Sequence, residues 1–121
     1  MKMKKIWTFL ILISLLAICR ERAQAAEQEL IPVHITGYCL QGLTKSETPA
    51  RHGICAFRPE DIGKTAVVYD GELRLIGIYE IEDTGGENVR AGYVLDVWCE
   101  TKEECYQLTQ DGFVQILDAE G

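Results

Sequence analysis

The chain has 121 residues, 47% of them apolar and 26% charged, enough for one small domain and too few for two. Its 12 basic and 19 acidic residues give a net charge of −7, which excludes the basic face that a general nucleic-acid or anionic-membrane binder needs. No internal repeat or low-complexity tract is present.

The first element in chain order is a targeting segment. Lys2, Lys4 and Lys5 precede an apolar run over residues 6–18. That run is short for a bilayer span and fits the basic and apolar regions of a signal peptide. Ala23-Gln24-Ala25 supplies a small-x-small cleavage site, so residues 1–25 read as a signal peptide and 26–30 as a short linker. Two alternatives stay open. One is an uncleaved anchor, the chain's one contact with a membrane. The other is a lipoprotein using Cys19, where Ile18 stands in place of the small residue such a site wants. Cleavage after Ala25 leaves seven basic and eighteen acidic residues, a net charge of −11. The expected product is an exported, extracytoplasmic monomer with some self-repulsion.

Cys39, Cys55, Cys99 and Cys105 follow the cleavage site. An even number of cysteines in a short exported domain predicts disulfides, with three possible pairings. Proximity in sequence favours Cys99–Cys105 and Cys39–Cys55. A zinc site is the rival reading, but no CxxC or CxxH spacing supports it.

Ile31, Val33 and Ile35 alternate with Pro32, His34 and Thr36, the pattern of a half-buried strand. Residues 41–53 are polar and read as a long loop. A short apolar run over 54–57 and a turn over 59–63 follow. Residues 65–69 predict a strand, and Asp70-Gly71 signals a hairpin. The return strand spans 72–82, with Gly77 marking a bulge or bend. After the loop at 83–86, residues 93–98 form another strand. Thr101 and Glu104 match a capping box opening a helix to Thr109, with Cys105 and Leu108 on one face. Gly112 ends that segment and residues 113–117 close as a strand. Six short strands with one short helix predict a small, mostly-β barrel, with a domain over 31–118.

The chemistry concentrates at two carboxylates. Asp83-Thr84-Gly85-Gly86 follows an apolar strand, and its glycines let a ligand approach the backbone closely. Asp96 stands among Val94, Leu95, Val97 and Trp98. Pointing inward, it would have a raised pKa suited to a general acid; pointing outward, it merely alternates between Leu95 and Val97. Asp83 likewise could be an Asx-turn residue only. Ser46 lacks a nucleophile-elbow context, and His34 and His52 stand alone. The acids Glu80, Glu82, Asp83 and Glu87 do not follow an EF-hand spacing. No cofactor and no metal are expected.

The segments 81–86, Leu95-Asp96-Val97-Trp98 and 112–117 together resemble the three-aspartate ("3D") domain. Residues 33–39 are similar to that family's first strand and 53–57 to its second. The resemblance covers about 31–117. It implies a six-stranded double-psi β-barrel of the kind found in a membrane-bound lytic transglycosylase and in secreted cell-wall proteins related to stationary-phase-survival and resuscitation factors. It implies that Asp96 is the catalytic acid/base, with Asp83 as the second family aspartate. Arg58 stands where the family has its first aspartate, with Asp61 three residues on. An insertion falls near residues 87–92. An arginine beside two carboxylates would hold them ionised.

Two functions follow from that resemblance. The first is a secreted, cell-wall-associated enzyme that cleaves peptidoglycan glycan strands and leaves 1,6-anhydromuramyl ends. Asp96 and Asp83 would carry the catalysis; Thr84, Gly85, Gly86 and Arg58 would bind substrate. The second is an inactive barrel that binds peptidoglycan or a protein partner in the same cleft, a reading favoured by Arg58 and the charge of −11.

Overall fold

A computed structural model describes residues 29–118. The expected signal peptide, the first three linker residues and Cys19 lie outside the described residues. No helix among the described residues is long and apolar enough to cross a membrane.

Six strands carry the fold: β1 (Leu30–Tyr38), β2 (Ile54–Ala56), β3 (Thr65–Asp70), β4 (Leu75–Asp83), β5 (Val94–Trp98) and β6 (Gln110–Leu117). Between them lie a 3-10 turn (Pro59–Asp61), α1 (Glu87–Arg90) and α2 (Lys102–Leu108). The strands close into a barrel in the order β1-β5-β2-β4-β3-β6. β1 runs parallel to β5 and β2 parallel to β4; the other neighbours are antiparallel. Advancing every strand number by three maps this ring and its parallel pairs onto themselves. Two interlocked three-strand halves therefore build the barrel, the double-psi arrangement. Closure leaves no sheet edge to template aggregation.

Alternation fixes what fills the barrel. Val33 and Ile35 of β1, Cys55 of β2, Ala66 and Val68 of β3, Leu95 and Val97 of β5 and Val114 of β6 point inward, joined by Phe57 and Ile81. Each fully buried large aliphatic contributes about 1.5–3 kcal/mol. The intervening residues of β1, His34, Thr36 and Tyr38, belong to the opposite phase.

Three details depart from the pattern expected above. The turn after β3 extends over residues 71–74, so β4 starts at Leu75. The Asp70 carboxylate accepts from the backbone N–H groups of Glu72 and Arg74, each at 2.9 Å, which holds the turn shut. The bulge falls on Ile76, next to Gly77, because Val68 pairs with Gly77 and Tyr69 with Leu75. Gly112 does not end a segment but sits inside β6. A Cβ there would strike the Tyr69 carbonyl and come within 2.7 Å of Ile35 Cδ1, so glycine marks a close strand approach rather than a stop.

Helix α2 forms where the capping box places it. Thr101 Oγ1 accepts from the Glu104 N–H at 3.2 Å. The reciprocal bond differs: the Glu104 carboxylate takes the Glu100 N–H and faces His52 Nε2, both at 3.2 Å. Cys105 and Leu108 pack on the core as their spacing predicts.

Candidate active site

The two aspartates meet through register. Ala56 of β2 pairs with Asp83 on one side and Asp96 on the other, and Asp96 pairs in turn with Thr36 of β1. Thr36, Asp96, Ala56 and Asp83 thus form one row across four strands. A bulge makes this row: Cys55 pairs with Ile81 but Ala56 with Asp83, so Glu82 is the extra residue. Without it Glu82 would stand opposite Ala56. Two strand spacings separate the aspartate backbones by roughly 10 Å, with the buried Ala56 between them.

Asp96 points away from the core, since Leu95 and Val97 on either side are buried inside the barrel. The outward reading of its strand phase is therefore correct. Its surroundings nevertheless half-bury it. Burial, opposed by a hydrogen bond from Thr36 and reinforced by the charge of Asp83, raises the Asp96 pKa above the ordinary aspartate value. Thr36 Oγ1 donates to Asp96 Oδ1 at 2.8 Å. No basic side chain among the described residues is paired with Asp96.

Asp83 has a different environment. Its Oδ1 accepts from the backbone N–H groups of Lys45 and Thr84, both at 3.0 Å, and its Oδ2 from the Tyr38 hydroxyl at 3.2 Å. Burial and the adjacent Asp83 carboxylate push the Tyr38 phenol up, so it stays a donor. The long loop over residues 39–53 walls this side. Ser46 N–H donates to the Glu82 carbonyl at 3.1 Å, and Trp98 Nε1 donates to the Leu40 carbonyl at 2.8 Å. Arg51 Nη1 pairs with Glu82 Oε2 at 2.8 Å.

The Asp-Thr-Gly-Gly turn contributes a further polar atom. Thr84 Oγ1 is shielded from solvent and has no hydrogen-bond partner among the described residues. Buried hydroxyls are satisfied in folded proteins as a rule, so such an atom calls for a ligand or water partner. Gly85 and Gly86 are exposed and neither has a positive φ. A Cβ on Gly86 would meet nothing within 4 Å, so Gly86 provides open access, whereas a Cβ on Gly85 would come within 3.3 Å of Val89, so Gly85 provides close packing on α1.

Arg58 does not join the two aspartates. Its Nε contacts Asp61 Oδ2 at 2.5 Å and Glu60 Oε1 at 3.6 Å, and its guanidinium lies 5.1 Å from the Phe57 ring centre. Asp61 is buried and also accepts from Lys64 Nζ at 3.3 Å. The expected arginine beside two catalytic carboxylates is therefore corrected: Arg58 serves the 3-10 turn, and Asp61 is occupied there as well. The region of the expected insertion forms α1.

The cysteines divide unequally. Cys55 lies in the core, while Cys99 and Cys105 are in side-chain contact and Cys105 also reaches Cys39. Cys39 thus faces Cys105, on the side of the barrel where α2 packs.

Thr36 and Tyr38 were not singled out from sequence, although both share the outward phase of β1. That phase was legible; the parallel pairing of β1 with β5 was not. A separate cleft of about 350 Å³ opens between Pro32, His34, Tyr93, Asp111 and Phe113. It adjoins the start of the β1–β5 pairing, whereas the aspartate row lies further along, and it holds none of the expected site residues. His52, Glu100 and Glu104 bring potential ligand atoms within 4.8 Å of one another on the surface. They already bond to each other through the Glu104 carboxylate. No family model, curated protein or solved structure matches the chain.

Proposed function

We propose that the chain is an exported three-aspartate-type barrel that cleaves peptidoglycan glycan strands without water. The observation that carries this reading is Asp96: half-buried, hydrogen-bonded by Thr36, in the same row as Asp83 and paired with no cation among the described residues. A carboxyl in that setting keeps its proton to higher pH, as a general acid requires.

In the proposed reaction, protonated Asp96 donates to the oxygen of the β-1,4 bond between N-acetylmuramic acid and N-acetylglucosamine. The bond to the muramyl C1 breaks and the leaving sugar departs as an alcohol. The Asp96 carboxylate then takes the proton from the muramyl 6-hydroxyl, whose oxygen bonds to C1. The product is a 1,6-anhydro ring, and Asp96 is protonated again. The substrate's own hydroxyl replaces the water or nucleophile that other glycosidases employ. Asp83, fixed by two backbone N–H groups and Tyr38, positions the saccharide.

Incubation of the exported protein with purified peptidoglycan, followed by mass analysis of soluble products, tests the reading. Anhydromuropeptides are expected. Reducing muramyl ends would make it a hydrolase. Glycan retention with no soluble product would make it a binding module.

A further inference from the structure

Beyond the aspartate row, the structure brings three thiols together. Cys99 follows β5 directly, Cys105 sits in the middle of α2 and Cys39 follows β1 directly. Cys105 is the shared member, its side chain close to those of both Cys99 and Cys39. Gly37 makes the arrangement possible. A Cβ there would lie 2.9 Å from Cys99 Sγ, 2.9 Å from Cys105 Cβ and 2.7 Å from Cys105 Cα. Only a bare Cα on β1 lets α2 settle with its sulfur beside that of Cys99. Cys55 is apart, wholly buried and facing the barrel interior.

We propose that Cys39, Cys105 and Cys99 form a thiol–disulfide exchange site for low-molecular-mass disulfides, with Cys105 the sulfur common to every bridge. Access puts Cys99 last. Cys39 and Cys105 are partly exposed, whereas Cys99 is 1% exposed. An incoming disulfide RSSR is attacked by the Cys39 thiolate, which gives a Cys39–SR mixed disulfide and releases one RS⁻. The Cys105 thiolate then attacks Cys39 Sγ and releases the second RS⁻, closing a Cys39–Cys105 bridge. The two protein protons leave with the two released thiols, so one RSSR is reduced to two RSH while one bridge forms. Cys99 enters only by exchange: its thiolate attacks Cys105 Sγ and returns Cys39 as a thiolate, with no net oxidation. Burial pushes the Cys99 thiol up to about 12, in keeping with its place as the last and slowest attacker.

The consequence differs from two independent local bridges. One bridge forms per molecule, one thiol of the trio remains, and Cys55 stays reduced inside the barrel. Bridging through Cys39 ties α2 to the loop that walls Asp83; bridging through Cys99 ties it to β5.

The test uses the full chain carrying Cys19→Ser, so that only the four described cysteines are scored. The folded protein is equilibrated with oxidised and reduced glutathione, acid-quenched, alkylated, digested and mapped by mass spectrometry. One bridge per molecule is expected, split between Cys39–Cys105 and Cys99–Cys105, with Cys55 alkylated only after unfolding. Cys105→Ser should lose the intramolecular bridge and accumulate glutathione on Cys39. Cys39→Ser, which leaves Cys99 beside Cys105, should still form Cys99–Cys105, now by direct attack of Cys105 on oxidised glutathione, but at least tenfold more slowly. A bridge containing Cys55, two bridges per folded molecule, or a Cys39–Cys99 bridge formed as readily in Cys105→Ser would overturn the proposal.

Discussion

Two aspartates in this barrel meet the same difficulty and resolve it in opposite ways. Asp61, in the 3-10 turn after β2, has a side chain only 3% exposed and is flanked by Arg58 Nε and Lys64 Nζ. Asp96, on β5, is half-buried with one neutral donor, Thr36, and another acid, Asp83, for neighbours. Taking a carboxylate out of water is costly unless cations and hydrogen bonds replace the lost hydration. At Asp61 they do, and the result is a fixed corner. At Asp96 they do not, and the carboxyl favours its proton instead. The contrast separates a charge that holds the fold from one whose environment opposes its ionisation, which is where catalytic acids are found.

Substitutions at the two positions test that contrast, and the largest effect falls on turnover. Asp96→Asn keeps an acceptor for Thr36 but removes the titrating proton, so anhydromuropeptide release should fall by about 10²–10⁴-fold. Unchanged release from folded Asp96→Asn would place the acid elsewhere. Asp61→Asn should leave turnover intact while destabilising the fold by about 2 kcal/mol, since two cations lose a charged partner. Urea unfolding at constant m-value measures this. Arg58→Ala should cost about 1 kcal/mol, because the guanidinium is partly solvated and Lys64 remains beside Asp61. It too should leave release unchanged, whereas a loss of activity would bring Arg58 back into the cleft.

The smallest effect concerns stability and pH. Because the folded-state pKa of Asp96 is raised, the native protein holds this proton where the unfolded chain has released it. Its contribution to stability is therefore greatest below the unfolded value, declines as pH rises through the folded value, and stays low at neutral pH. Asp96→Asn does not titrate, so it should melt higher than wild type at neutral pH, and the gap should close in acid. A variant melting below wild type at pH 7 would remove the frustration assigned to Asp96.

Much of the barrel was legible because period-two alternation and turn chemistry are local. Val33, Ile35, Leu95 and Val97 announce their inward phase, Asp70-Gly71 its turn, and Thr101 and Glu104 the start of α2. The misplaced boundary at Gly112 has a non-local cause. In sequence a glycine after a helix looks like a stop, and only the proximity of Tyr69 and Ile35 shows that it lies within a strand.

Local pattern is enough to show that this chain alternates into short strands, that Asp83 stands where one of them meets a glycine-rich turn, and that Asp96 lies within another. That Ala56 stands between the two, that Arg58 turns to Asp61, and that Cys105 lies near two other thiols all come from the folded arrangement. The physical reason is register. Side-chain phase is a property of one strand, read two residues at a time. Which residues face each other depends on barrel closure and on a single extra residue, Glu82, whose bulge puts Asp83 opposite Ala56.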